Sequence, residues 1–182
     1  MKHRIQLIDY LKELKLPLNV AEVGVAEGRF SFDILSKGVN MLFLVDNWGY
    51  IESQTGDGNF CQEWHEKNLS DCIERLKEFK NAIYLRGLSH KMAMSIPDNS
   101  LGLVYLDAAH DYQNVKNDLR AWLPKLVDGG IMAGHDYLNR AYGVEKAVDE
   151  FCKGKYKVNV IHENNPDDAS FYFIKKNYAD TI

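Results

Sequence analysis

Two acidic residues at the ends of predicted strands are the strongest candidates for chemistry in this sequence. Asp107 follows the apolar run Leu101–Leu106, and Asp136 comes shortly after a second run at Ile131–Ala133. If these strands are parallel neighbours, both carboxylates lie at the same edge of the sheet. Two isolated carboxylates repel each other, and a cation between them would keep both ionised. Because oxygen ligands favour a hard ion, the pair predicts a Mg²⁺ site.

A histidine close to the first acid is a candidate general base. His110 lies shortly after Asp107, and an unperturbed imidazole pKa of about 6.5 suits proton transfer at neutral pH. The competing interpretation is a capping or surface histidine before the helix predicted to begin at Tyr112. Four further histidines do not lie in a comparable group of candidate residues and are interpreted as structural or solvated; they are His3, His65, His90 and His162.

A glycine turn between a strand and a helix predicts a ligand site. The segment Asn19–Gly28 joins an apolar strand to a helical pattern through Gly24 and Gly28. Glycine lacks a Cβ and tolerates positive φ, so such a turn lets bare backbone approach a ligand. The next apolar run ends in Asp46, whose two carboxylate oxygens suit the two hydroxyls of a ribose. The alternatives are a tight connection without a ligand and an acid in an exposed turn.

Strand-like and helix-like segments alternate along the chain and predict an α/β fold. Five strand–helix units precede a closing hairpin, so we expect a doubly wound, mostly parallel sheet with helices on both faces. The length of 182 residues predicts one domain, residues 1–182. We expect a helix over Tyr112–Val127 that Pro124 kinks or ends early. A turn at Asp128–Gly130 should then lead into the strand at Ile131–Ala133.

A glycine-rich and aromatic stretch at residues 47–60 follows the carboxyl end of a predicted strand. Loops at this position form binding sites in α/β folds, so the stretch is a candidate substrate lid. Trp48 and Tyr50 within it would stack on a bound substrate, shield a positively charged ligand through a cation–π contact, or anchor the lid by hydrophobic packing.

The composition narrows the classes of partner. The net charge of −4 comes from 22 basic and 26 acidic residues, which argues against nucleic acid as a partner. No apolar run is long enough for a membrane span, so we expect no membrane partner. Three cysteines without a close pair argue against disulfides or structural zinc and favour a reducing, cytoplasmic location.

The motif Glu22-Val23-Gly24-Val25-Ala26-Glu27-Gly28 resembles the acid-x-Gly-x-x-x-Gly motif of class I S-adenosylmethionine-dependent methyltransferases. The resemblance covers nearly the whole chain and implies their Rossmann-like, seven-stranded sheet with an antiparallel C-terminal hairpin. It also implies S-adenosylmethionine as cofactor. The residues that it assigns to cofactor binding are Glu22, Gly24, Val25, Ala26, Glu27, Gly28, Asp46, Asn47, Ser89 and Asp107. An NAD-dependent dehydrogenase is disfavoured, because its Gly-x-Gly-x-x-Gly fingerprint is absent.

The segments around Asp107 and Asp136 resemble the macrocin O-methyltransferase group of sugar-methylating enzymes. The resemblance implies that both aspartates hold Mg²⁺, that His110 is the catalytic base, and that Asp107 takes part in catalysis. His135 stands where related enzymes more often have an acid. It is a third metal ligand of softer type, a second base, or a histidine that donates to a carbonyl.

The implied activity is methyl transfer to a hydroxyl group of a small molecule, either a sugar or a phenol-like acceptor, with help from Mg²⁺. Two alternatives stay open at this point. One is a metal-independent methyltransferase acting on another acceptor, and the other is a non-catalytic nucleoside-binding domain. A homodimer in which the second subunit completes the pocket is a further hypothesis.

Overall fold

A computed structural model describes residues 1–52, 60–163 and 169–176. The seven strands among these residues form one sheet in the order β3-β2-β1-β4-β5-β7-β6. The strands are β1 Asn19–Val23, β2 Met41–Asp46, β3 Ala82–Arg86, β4 Leu101–Leu106, β5 Leu126–Gly134, β6 Asn159–His162 and β7 Ala169–Ile174. The α-helices are α1 Gln6–Glu13, α2 Arg29–Ser36, α3 Gln62–Leu76, α4 Ser89–Met92, α5 Tyr112–Trp122 and α6 Val144–Cys152.

The first five strands are parallel, and β7 pairs antiparallel with both β5 and β6. The doubly wound α/β fold with a closing antiparallel hairpin is therefore confirmed. Part of the predicted lid, residues 53–59, lies outside the described residues. The assignment of residues 1–182 to one domain stays a prediction.

Strand β4 shows why the sheet is covered on both faces. All six of its residues are buried, and successive side chains enter different cores. Val104 and Leu106 pack with α5 and α6, whereas Leu103 and Tyr105 pack with α1 and α2. Because side chains alternate across a strand, a fully apolar run can fill two cores at once.

Near Pro124 the structure confirms the early end of the helix and corrects the start of the strand that follows. Helix α5 ends at Trp122, and Pro124 lies in a short 3₁₀ turn, as expected of a residue without a backbone N–H. The predicted turn at Asp128–Gly130 is wrong as a strand boundary, because β5 already begins at Leu126. The register between β4 and β5 shifts there, and this irregularity accommodates the glycine pair inside the strand.

No helix among the described residues has the length and apolar character needed to cross a membrane.

Candidate active site

The candidate site is a cavity of about 810 Å³ at the carboxyl ends of β1, β2 and β4. This volume lies in the range of pockets that hold small molecules, roughly 300–1,000 Å³. Its walls are residues 22–27, 45–49, 87–90 and 107–111, together with Arg4 and part of α3. The predicted turn, Asp46 and Asp107 therefore meet at one sheet edge.

The two glycines of the β1–α2 turn are required by the packing of the chain itself. Gly24 has φ +93°, and a Cβ there would lie 2.0 Å from the backbone oxygen of Asp107. Gly28 has φ +74°, and its Cβ would lie 2.8 Å from Cys72 Sγ. Protein atoms thus occupy the space that a side chain would need. That the turn also admits a ligand to its backbone stays a prediction.

Asp46 holds this turn in place. Its Oδ2 accepts hydrogen bonds from the backbone N–H groups of Val25 at 2.9 Å and Ala26 at 3.0 Å. Its Oδ1 accepts from the backbone N–H of Trp48 at 2.8 Å. A carboxylate offers about four lone-pair positions, so one is left for a ligand hydroxyl. The sequence-based hypothesis had assigned both oxygens of Asp46 to ribose.

Trp48 is an anchor of the segment that follows β2. Its side chain is 1% exposed, and its indole N–H donates to the carbonyl of Ala26 at 2.9 Å. Tyr50 is 50% exposed. Of the sequence-based interpretations, hydrophobic anchoring describes Trp48.

Glu22 lies beneath the cavity and is 2% exposed. The hydroxyl of Ser31 donates to its Oε2. Burial raises the pKa of Glu22 to about 8, although the hydrogen bond from Ser31 acts in the opposite direction. The side chain is therefore mostly neutral at neutral pH, and the floor of the cavity carries little negative charge from it.

Glu22→Gln is expected to remove a pH dependence of stability. The folded-state pKa of Glu22 is raised to about 8 from 4.5, so the parent loses stability as pH rises from about 5 through 8. Between pH 6 and pH 9 the loss is about 3 kcal/mol more than in the variant. Urea unfolding of both proteins at several pH values measures the difference. Parallel pH profiles for parent and variant would contradict a neutral Glu22.

Asp107, His110 and Asp136 form a compact group beside the cavity. His110 Nε2 lies 3.1 Å from Asp136 Oδ2 and 3.6 Å from Asp107 Oδ1. One ligand atom from each of the three residues lies within 4.8 Å of the other two. Since β4 and β5 are parallel neighbours, the predicted meeting of the two aspartates is observed.

The carboxylates and the imidazole in this group stabilise one another's charged forms. Burial alone would lower the pKa of His110, but Asp107 and Asp136 outweigh it and raise the pKa to about 9. Burial opposes ionisation of Asp136, yet His110 and His135 hold the pKa of that carboxyl far below its usual range. With Asp107 and Asp136 beside it, His110 carries a proton at neutral pH, and it can act as a base only after losing that proton.

His135 adjoins the group at longer distances. Its Nδ1 lies 3.4 Å from Asp136 Oδ2 and 3.8 Å from Asp107 Oδ1. The sequence-based hypothesis names Asp107, Asp136 and His135 as the metal ligands. Among the described residues, the compact group consists of the same two aspartates with His110. The assignment of His135 as a metal ligand stays a prediction.

The remaining predicted cofactor residues also line the cavity. Ser89 Oγ accepts from the indole N–H of Trp122 at 2.9 Å. Next to it, burial raises the pKa of Asp118 to about 6, while a hydrogen bond with Ser89 lowers it. Asn47 Oδ1 accepts from the backbone N–H of Gly49 at 3.1 Å. Glu27 Oε1 accepts from Arg29 Nε at 2.7 Å.

Arg4 is a site residue that the sequence did not reveal. Its Nη1 lies 3.6 Å from Asp107 Oδ2, and its guanidinium lies 4.5 Å from the ring centre of Phe30. Its backbone N–H donates to Glu163 Oε1 at 2.9 Å. No spacing pattern marks an arginine that precedes the first helix, because only the tertiary fold brings it to the sheet edge.

Four buried side-chain nitrogens in the described part of the chain have no hydrogen-bond partner. They are Arg4 Nε, His65 Nε2, Asn68 Nδ2 and His110 Nε2. All four residues line the cavity. An unpaired buried polar group costs about 1–3 kcal/mol, so a cluster of them indicates a site built for a polar ligand.

Comparison with known proteins identifies the family. Residues 21–137 match the family model described as a methyltransferase domain. The chain belongs to this methyltransferase family. The resemblance to S-adenosylmethionine-dependent methyltransferases is thereby confirmed. No curated protein matches the sequence significantly.

Solved structures with the same fold include two methyltransferases. CalS11, a calicheamicin methyltransferase, superposes with a TM-score of 0.71 at 16% identity and covers 95% of this chain and 80% of its own. The O-methyltransferase NovP superposes with a TM-score of 0.68 at 18% identity and covers 95% of this chain and 78% of its own. These likenesses establish the fold of the methyltransferase.

Proposed function

We propose that this methyltransferase moves the methyl group of S-adenosylmethionine to a hydroxyl of a small molecule, either a sugar or a phenol-like acceptor. The observation that carries the proposal is the convergence of Asp107, His110 and Asp136 beside the cavity. Two carboxylates and an imidazole can orient a hydroxyl and accept its proton. CalS11 is described as a TDP-rhamnose 3′-O-methyltransferase and NovP as an O-methyltransferase, which supports the same class of acceptor.

The donor would lie along the β1–α2 turn. Residues 22–28, Asp46, Asn47, Ser89 and Asp107 would hold it, and Asp46 has one lone-pair position left for a sugar hydroxyl. Methyl transfer forms a carbon–oxygen bond as the carbon–sulfur bond breaks, and S-adenosylhomocysteine leaves. The sulfonium is already a good leaving group, so alignment of the two reactants is the main task of the protein.

The group Asp107, His110 and Asp136 fits a divalent cation. His110 Nε2 is buried between two carboxylates, 3.1 Å from Asp136 Oδ2 and 3.6 Å from Asp107 Oδ1, without the geometry of a hydrogen bond to either. A bound cation would supply positive charge that lowers the pKa of a nearby acceptor hydroxyl. Carboxylates suit Mg²⁺ and Mn²⁺, whereas imidazole also suits softer ions, so both Mg²⁺ and Mn²⁺ belong in the test.

The role of His110 separates two forms of the proposal. In the cation-dependent form, His110 binds the ion together with Asp107 and Asp136. In the metal-independent form, His110 takes the proton from the acceptor. Because its pKa is raised to about 9, His110 must first lose its own proton, and the rate should then rise with pH towards 9.

A test of the proposal is turnover of S-adenosylmethionine with a panel of nucleotide sugars and catechols. We expect methylation of at least one hydroxyl acceptor, a loss of more than about tenfold with EDTA, and recovery with Mg²⁺ or Mn²⁺. Calorimetry with S-adenosylhomocysteine in EDTA is the control and should show unchanged binding. Turnover that EDTA does not affect would exclude the cation, and turnover of amines alone would exclude the hydroxyl acceptor.

A further inference from the structure

The buried face of α3 lies along the β1–α2 turn. His65, Asn68 and Cys72 are buried on this helix at spacings that place them on one face. Cys72 abuts Gly28, since a Cβ on that glycine would lie 2.8 Å from Cys72 Sγ. His65 and Asn68 continue the same face towards the helix N-terminus and line the cavity.

Both of these cavity residues carry a nitrogen without a partner. His65 and Asn68 are each 7% exposed. His65 Nε2 and Asn68 Nδ2 have no hydrogen-bond partner. An amide nitrogen can only donate, whereas an imidazole nitrogen donates or accepts according to its tautomer. The pair therefore suits a ligand group that is both donor and acceptor, such as a hydroxyl.

Asp46 alone is not sufficient for a ribose. Three backbone N–H groups already bond to its carboxylate, which leaves about one of four lone-pair positions. A ribose presents two neighbouring hydroxyls, each with one proton to donate. The proton of the second hydroxyl therefore needs another acceptor, and the two hydroxyl oxygens need hydrogen-bond donors.

The segment after β2 connects this acid to α3. The backbone N–H of Trp48 donates a hydrogen bond to Oδ1 of Asp46. Two residues later, the backbone N–H of Tyr50 donates to Gln62 Oε1 at 2.9 Å. Gln62 is the first residue of α3. The start of the helix is thereby fixed to the chain that leaves Asp46.

We propose that His65 and Asn68 bind the ribose hydroxyls of S-adenosylmethionine together with Asp46. Asn68 Nδ2 donates to a hydroxyl oxygen, and His65 Nε2 accepts the hydrogen bond of the second hydroxyl, for which Asp46 has no free lone pair. The inference rests on the proposed placement of the cofactor along the turn. It makes α3 a determinant of ribose recognition in addition to a packing element.

The test is calorimetry with S-adenosylhomocysteine and its 2′-deoxy and 3′-deoxy analogues. The variants are Asn68→Ala and His65→Asn, and the matched control is Ser70→Ala on the exposed face of the same helix. Each site variant should bind S-adenosylhomocysteine about tenfold more weakly. Each should also lose the preference of the parent for S-adenosylhomocysteine over one of the deoxy analogues. The control should match the parent.

His65→Gln tests the position of the nitrogen, because its amide reaches about as far as Nε2 of the histidine. This variant should retain most of the ribose preference, whereas His65→Asn should not. The inference is overturned if the site variants bind like the parent. It is equally overturned if they lose affinity for all three ligands by the same factor, or if they stay folded and bind none. If the parent itself does not bind S-adenosylhomocysteine, the proposed cofactor site fails as a whole.

Discussion

Replacing Asp136 by asparagine is expected to lower the turnover number by about 100-fold or more and to leave S-adenosylhomocysteine affinity almost unchanged. The substitution removes the negative charge that lies 3.1 Å from His110 Nε2 and one oxygen of the candidate cation site. Asp136 has φ +55°, a conformation that asparagine tolerates well. The side chain is absent from the described lining of the cavity, so cofactor binding should persist.

Steady-state kinetics with an accepted hydroxyl substrate measure this effect, and Mn²⁺ titration followed by electron paramagnetic resonance reports on the ion. The matched control is Asp128→Asn, an exposed position on the same strand. It makes the same chemical change away from the carboxyl edge and should retain parental activity. Parental activity in Asp136→Asn would show that the acid pair has no part in the reaction.

Gly24→Ala is expected to destabilise the protein by about 3 kcal/mol or more. The added Cβ would lie 2.0 Å from the backbone oxygen of Asp107, and the residue has φ +93°. The strand ends of β1 and β4 would have to separate, although the backbone N–H of Asp107 donates to the carbonyl of Val23 at 2.6 Å. Urea unfolding measures the loss.

The control for backbone strain alone is Gly154→Ala. Gly154 has φ +72°, and a Cβ there would meet nothing within 4 Å. Gly154→Ala should therefore lower the free energy of unfolding by only about 1–2 kcal/mol, the strain of a left-handed conformation in a residue with a Cβ. An equal loss of stability in both variants would mean that the close contact with Asp107 relaxes easily, which would contradict tight packing at Gly24.

The placement of the acids could be predicted from sequence because it follows from strand order. Apolar runs mark β2 and β4, and an acid at the end of each parallel strand must reach the same sheet edge. The start of β5 could not be predicted in this way. Its glycine pair carries the signature of a turn, and only pairing with β4 and β7 shows that the strand continues through it.

The polar lining of the cavity could not be predicted from the sequence. His65 does not follow an acid at the end of a predicted strand, as His110 does, so the sequence favours a structural or solvated histidine. Its spacing from Asn68 placed both on one helix face, and that was the available signal. Whether such a face meets a core or a cavity depends on the path of the β1–α2 turn, which local patterns do not encode.

The contact between Arg4 and Glu163 has a consequence for how the methyltransferase is made. The two residues are 159 positions apart, and Nη1 of the same arginine lies 3.6 Å from Asp107 Oδ2. A ribosome must therefore deliver the chain as far as Glu163 before this contact can form. Contacts so distant in sequence form late and slowly, so a nascent chain that ends before Glu163 lacks this contact beside Asp107.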